Sequence, residues 1–127
     1  MRLNPKLAVA LLAGIAIGGI ALNGLHAQAK PPAYSVVELV ELHDPATMQE
    51  FAKRNRTGIL AAGGRFLAFR GRIVAGNGTP PRAAGIVAWD NLDQAVGYFN
   101  SPYFKNLIPL RDKAAKQRLF IVEGLAK

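Results

Sequence analysis

The sequence contains no cysteine, and only two of its 127 residues are histidine and one is tryptophan. Without cysteine the chain forms no disulfide, and it is not a lipoprotein of the usual kind, which needs an acylated cysteine. A protein metal site normally draws on several Cys or His ligands, so we expect no metal site. Stability must therefore come from the packing of apolar side chains, which make up 50% of the residues.

Acidic residues are scarce, with 8 Asp and Glu against 16 Lys and Arg and a net charge of +8. The basic residues are spread along the chain, and only Arg70 and Arg72 lie close together in a segment of strand character. We expect no nucleic-acid partner, because export would separate the chain from nucleic acid. A dispersed basic surface attracts small anions or anionic lipid, or it is a plain solvated surface.

Signatures of nucleophilic catalysis and of phosphate binding are missing from the sequence. The glycine-rich residues 63–78 lack phosphate-loop spacing, and no G-x-S-x-G element occurs. Ser35 and Ser101 have no base at a motif distance, and a haem would find only His43 or a tyrosine as its axial ligand. We therefore predict no cofactor, and the composition leaves enzymatic activity open.

One long apolar run, residues 7–22, follows a basic start and ends in small residues. This order predicts a secretory signal peptide over residues 1–29, cleaved after Ala29, and a single domain over residues 30–127 that is periplasmic or secreted. The alternative is an uncleaved segment that anchors the protein to the membrane, with the domain facing the periplasm.

Strand patterns and helix patterns alternate through the rest of the chain. Four strands are predicted, over residues 33–42, 65–70, 83–89 and 119–124. One helix begins at Asp44-Pro45 and ends at Gly63-Gly64, and a second, split at Ser101-Pro102, precedes the last strand. The order β-α-β-β-α-β predicts an α+β ferredoxin-like fold, an antiparallel sheet with helices on one face. Apolar residues on the other face predict a homodimer in which two sheets close a barrel.

Five segments, AYSVVEL, HDP, GGRFLAFRG, FNSPYFKNLIPLR and FIVEG, occur in this order within residues 33–124. Together they resemble the "domain of unknown function 1330" family, which implies a dimeric α+β barrel without a settled activity. The matching residues are Asp44, Pro45, Gly64, Arg65, Ser101, Pro102, Leu110, Arg111 and Glu123. Met48, Phe51, Phe99 and Phe104 stand where the family often has tyrosine, and Ala75 and Ala88 stand where carboxylates are expected. These departures disfavour an enzyme.

Arg111 is the most informative candidate, because it lies on the apolar stripe of the second predicted helix beside Leu107 and Leu110. A buried guanidinium needs an anionic partner, and Glu38 on the first strand is our first candidate, with Glu123 the second. Arg111 is predicted to bind a ligand carboxylate, to form a structural ion pair, or to lay its stem along the core with its head in water.

The predicted ligand-binding residues are Glu38, Arg65, Trp89, Tyr103 and Arg111. The first functional hypothesis is a binding module that holds a small, mostly apolar ligand with an acidic group in a pocket near Glu38, Trp89 and Arg111. The second is a cofactor-free oxygenase or isomerase with Glu38 or His43 as the catalytic base. The third is a structural dimer without a ligand, in which the aromatic residues Tyr34, Trp89, Tyr98, Tyr103 and Phe104 are plain core.

Overall fold

The computed structural model describes residues 30–126. Its strands are β1 (Ala33–Leu42), β2 (Arg65–Phe69), β3 (Ala83–Trp89) and β4 (Ala115–Glu123), and its helices are α1 (Pro45–Ala61), α2 (Leu92–Phe99), α3 (Pro102–Lys105) and α4 (Ile108–Ala114). The four strands form one antiparallel sheet in the order β2-β3-β1-β4. The ferredoxin-like α+β fold is thereby confirmed. The predicted signal peptide lies outside the described residues. Within residues 30–126, no helix combines the length and the apolar character needed to cross a membrane.

The helix ends follow the capping residues of the sequence. The carboxylate of Asp44 accepts a hydrogen bond of 3.1 Å from the backbone N–H of Thr47, and this bond lowers the pKa of Asp44. Ser101 caps α3 in the same way, as predicted. The second predicted helix is split as expected, but it consists of three pieces, because a turn at Asn106 and Leu107 separates α3 from α4.

The two faces of the sheet differ in what covers them. The helices lie on the face that carries Ser35, Val37 and Val87, and side chains at alternate positions point to the opposite face. On that opposite face Phe120 and Val122 of β4 are about half exposed, at 49% and 47%. One chain therefore leaves an apolar sheet face in contact with solvent.

A β-bulge in β2 changes which side chains face the helices. Phe66 pairs with Val87 and Phe69 pairs with Gly85, with the register shifting between Phe66 and Ala68. Because both partners on β3 face the helices, the two phenylalanines share that face although they are three residues apart. The intervening Leu67 is 60% exposed.

The core lies between the sheet and the helices. Trp89 is fully buried, and its ring stacks on Tyr98 at a centroid distance of 5.6 Å, with Phe99 at 5.9 Å. The first helix packs mainly against α4, and it also buries Phe51 and Ile59 in the same core as Val87 and Trp89. This arrangement leaves space between α1 and the sheet.

Candidate functional site

The space between α1 and the sheet consists of two adjoining cavities, which we call the α1 groove. The inner cavity has a volume of about 70 Å³ and the outer cavity about 290 Å³. Both are lined by Val37, Met48, Ala52, Phe69, Gly85 and Gln117, so they are continuous in their lining. Val37 of β1 and Gln117 of β4 form the floor, and Met48 and Ala52 come from α1.

Aromatic side chains enclose the inner cavity. It is lined by the phenyl rings of Phe51, Phe66, Phe69, Phe99 and Phe104. Phe66 and Phe69 reach it together because of the bulge in β2, while Phe51 comes from the buried face of α1. An apolar wall of this kind removes water from an apolar ligand without offering it a competing hydrogen bond.

Polar groups in the inner cavity are few, and most already have protein partners. Asn55 accepts a hydrogen bond of 2.6 Å from the hydroxyl of Tyr98, whose pKa is raised by burial and by the neighbouring Tyr103. Ser35 accepts a hydrogen bond of 2.9 Å from the indole N–H of Trp89. The guanidinium of Arg56 lies over the ring of Phe66, 5.1 Å from its centroid.

Arg111 lines the inner cavity, and its side chain is 25% exposed. Its Nε and Nη2 donate to Oδ1 of Asp112 at 3.1 and 3.0 Å, and its guanidinium carbon lies 6.0 Å from the centroid of Phe104. The stem therefore follows the apolar wall while the head pairs with a neighbouring carboxylate at the surface, which matches one of the three predicted roles.

The predicted partnership between Glu38 and Arg111 is wrong. Glu38 lies on the sheet face that the helices leave open, where Nε of Arg118 donates to its Oε1 at 3.1 Å, with a second bond from Nη2 of the same residue. Glu123 lies at the exposed end of β4 and forms no ion pair with any residue of the described chain. The sheet itself separates Glu38 from the α1 groove.

The structure does not assemble the predicted pocket near Glu38, Trp89 and Arg111. Of the predicted ligand-binding residues only Arg111 lines the α1 groove. Trp89 is fully buried in the core, Arg65 pairs at the surface with Asp90 at 3.2 Å, and the hydroxyl of Tyr103 donates to the carbonyl of Arg54 at 2.8 Å.

The two predicted bases also lie outside the α1 groove. His43 is exposed, with its Nε2 3.9 Å from Oε1 of Glu41, and its backbone N–H donates to the carbonyl of Ala114 at 2.8 Å. Among residues 30–126, no three His, Asp or Glu side chains converge as a metal site would require.

Sequence reasoning missed the arginines of the outer cavity. Arg70 and Arg82 both line it, on either side of the loop that joins β2 to β3. No Asp or Glu of the described chain lines either cavity. A signal for this was present, because the sequence has no acidic residue between Glu50 and Asp90.

The fold and the groove define a small α+β protein of the ferredoxin-like class, with a partly open, mostly apolar groove between helix and sheet. The family described as "domain of unknown function (DUF1330)" matches residues 32–125, and the chain belongs to this family. A search of the curated proteins found no match to this chain.

Solved structures share the fold at low sequence identity. A protein of unknown function from Rhodopseudomonas palustris is 12% identical, with a TM-score of 0.58, over 76% of this chain and 84% of the other. SnoaB, a cofactor-independent oxygenase from Streptomyces nogalater, is 11% identical, with a TM-score of 0.56, over 76% of this chain and 96% of SnoaB. A dimeric protein of unknown function with a ferredoxin-like fold, from Bacteroides fragilis, is 13% identical, with a TM-score of 0.51, over 73% of this chain and 96% of the other. At these identities the likeness shows the fold alone.

Proposed function

We propose that this protein binds a small, mostly apolar anion in the α1 groove. The observation that carries the proposal is the composition of the lining: apolar side chains, guanidinium groups and no carboxylate. Apolar walls favour an apolar body, and arginines without a competing carboxylate in the lining favour an acidic group on the ligand. The binding module predicted from the sequence is thus retained, with its pocket moved to the other face of the sheet.

The test fills the groove with a larger side chain and measures whether the bound ligand is lost. Ala52 lines both cavities, so Ala52→Phe places a ring in their shared space. Ala61→Phe is the matched control, because Ala61 is exposed at the end of the same helix and lines neither cavity. The measurement is native mass spectrometry of the full-length gene product purified from the cells that make it, followed by denaturing mass spectrometry.

The expected result is a small anionic molecule that leaves the wild type and Ala61→Phe on denaturation and is missing from Ala52→Phe. The proposal fails if all three proteins carry the same molecule, because the ligand then lies elsewhere. It also fails if the wild type carries none and does not take up apolar carboxylates added to it; the structural dimer without a ligand is then the better description.

Export and pairing complete the proposal. We infer that residues 1–29 are a signal peptide cleaved after Ala29, and that residues 30–127 act as one domain in the periplasm or outside the cell, an uncleaved membrane anchor being the alternative. We also infer a homodimer, supported by the half-exposed apolar side chains of Phe120 and Val122 and by the dimeric Bacteroides fragilis protein with the same fold.

The enzyme alternative is a cofactor-free oxygenase, favoured by the fold that this chain shares with SnoaB. Because neither Glu38 nor His43 lines the α1 groove, a base acting there would have to come from another residue. Oxygen uptake with aromatic quinols is the test, and we expect none above the rate without protein. Uptake that Ala52→Phe abolishes and Ala61→Phe retains would replace the binding module by the enzyme.

A further inference from the structure

The outer cavity differs from the inner one in the state of its arginines. The guanidinium of Arg111 is already paired with Asp112, so a ligand at that end would compete with a protein carboxylate. Arg70 and Arg82 form no ion pair with any residue between 30 and 126. Within the described chain, the outer cavity therefore has two guanidinium groups without a protein carboxylate, whereas in the inner cavity Arg111 is paired with Asp112 and Arg56, also without a carboxylate, lies over the ring of Phe66.

The backbones that carry these two arginines are fixed to the sheet. The N–H of Arg70 donates to the carbonyl of Ala84 at 2.9 Å, and the N–H of Arg82 donates to the carbonyl of Leu39 at 2.9 Å. The two side chains thus start from positions set by neighbouring strands rather than from a free loop. This anchoring lowers the conformational entropy that is lost when they bind the same ligand.

The backbone of Arg70 has an unusual conformation. Its φ is +59°, in the left-handed region that favours glycine, and it is the one described non-glycine residue with a positive φ. Such conformations persist where the surrounding structure enforces them, and they cluster at ligand-binding positions. Here the left-handed residue lines a cavity, with its guanidinium carbon 5.9 Å from the centroid of Phe69.

We propose that Arg70 and Arg82 bind the acidic group of the ligand at the outer cavity, while its apolar tail extends towards the phenyl rings of the inner cavity. The ligand class is accordingly an elongated monocarboxylate, such as a medium-chain fatty acid. This inference rests on the proposed function and adds the orientation of the ligand and its class. The two cavities share six lining residues, so an acidic group at the arginines of one lies next to the apolar wall of the other.

The test measures binding of decanoate and of decanol by isothermal titration calorimetry to the wild type and to Arg70→Gln/Arg82→Gln. Hydrogen bonds to charged groups support a loss of decanoate affinity of about tenfold, with decanol affinity unchanged. Arg72→Gln is the matched control, because Arg72 lies in the same loop and lines neither cavity. Thermal unfolding of each variant confirms that it is folded. If glutamine is not tolerated at the left-handed position 70, Arg70→Gly/Arg82→Gln is used in place of Arg70→Gln/Arg82→Gln.

Two results would overturn the inference while leaving the proposed function intact. In the first, decanoate binds the double variant as tightly as the wild type, and Arg111→Gln weakens it instead. In the second, decanoate does not bind the wild type, although the Ala52→Phe and Ala61→Phe comparison still detects a ligand in the groove. If that comparison also detects no ligand and added apolar carboxylates do not bind, both the inference and the proposed function fail.

Discussion

The indole N–H of Trp89 donates a hydrogen bond of 2.9 Å to the hydroxyl of Ser35, and the two residues are 0% and 3% exposed. The bond joins β3 to β1 beneath the aromatic cluster, so a polar pair lies within an otherwise apolar core. It also uses the hydroxyl of Ser35, which lines the inner cavity, as an acceptor, so that hydroxyl is left with its own proton to donate.

Removing the acceptor of this bond should destabilise the fold. Ser35→Ala leaves a fully buried N–H without a partner, and we expect the free energy of unfolding in urea to fall by about 1–3 kcal/mol. The control is a double-mutant cycle with Trp89→Phe, in which the second substitution should cost less once the first has removed the bond. A cycle with no coupling would show that the bond does not contribute.

Two helical glycines should respond in opposite directions to alanine. A Cβ at Gly58 would lie 2.4 Å from Cε2 of Tyr103 and 2.6 Å from the hydroxyl of Tyr98, whereas a Cβ at Gly97 meets nothing within 4 Å. We expect Gly58→Ala to destabilise the protein by about 1–3 kcal/mol through overpacking. Gly97→Ala should stabilise it by about 0.5–1 kcal/mol through the backbone entropy of the unfolded chain. Equal effects in urea unfolding would contradict the tight contact at Gly58.

Stability should fall in alkali because of Tyr98. Burial raises the pKa of its hydroxyl above the unfolded value of about 10, so above that pH the unfolded chain releases a proton that the native chain retains. The unfolded state is then favoured as pH rises, while below this range the contribution of Tyr98 is fully present. We expect Tyr98→Phe to show a shallower decline of unfolding free energy above about pH 10 than the wild type. Parallel declines would show that Tyr98 does not titrate differently in the two states.

A charge on the open sheet face should prevent pairing of two chains. Phe120 is 49% exposed there, and Phe120→Lys would place an unpaired ammonium in the proposed sheet-to-sheet interface. We expect sedimentation velocity to find a dimer for the wild type and a monomer for Phe120→Lys. Val74→Lys is the control, because Val74 is 79% exposed in the loop between β2 and β3. A dimer that survives Phe120→Lys would place the interface elsewhere.

The proposed cleavage site is tested by the residue at its edge. A-x-A sites require small side chains at the first and third positions, so Ala29→Leu should block cleavage in the producing cells. Gln28→Leu changes the middle position and should leave cleavage intact. Intact mass of the protein should show a chain beginning at Lys30 for the wild type and Gln28→Leu only. Full-length wild type in mature preparations would support the membrane anchor instead.

Local patterns predicted much of the fold. The runs of β-branched residues gave β1 and β3 with their observed ends, and Asp44-Pro45 marked the start of α1. The last strand was predicted too short: it begins at Ala115, because residues 115–118 pair with β1 although Lys116, Gln117 and Arg118 have no strand character of their own. Pairing with a neighbouring strand decides whether such a segment is a strand, and the local sequence does not show that pairing.

The candidate site could be predicted less well, for a reason visible at Glu38. Alternation along β1 correctly separates Val37 from Glu38 onto opposite faces. Both faces are apolar, so periodicity alone does not tell which face the helices cover, and the prediction joined Glu38 and Arg111 in one pocket although they lie on opposite sides of the sheet. Arg111 was found because it interrupts an apolar stripe. Arg70 and Arg82 follow from a bulge and a loop, which no periodic pattern describes.

The roof of the α1 groove is α1 itself, which packs along α4 and buries Phe51 and Ile59 in the core. The height of the ligand space is therefore set in part where α1 packs against α4, away from the walls that the ligand meets. Larger or smaller side chains at this helix contact would raise or lower the roof and change the range of accepted ligand sizes, with every lining residue unaltered. Related chains with identical linings can then differ in selectivity, and a comparison of lining residues alone would overlook the difference.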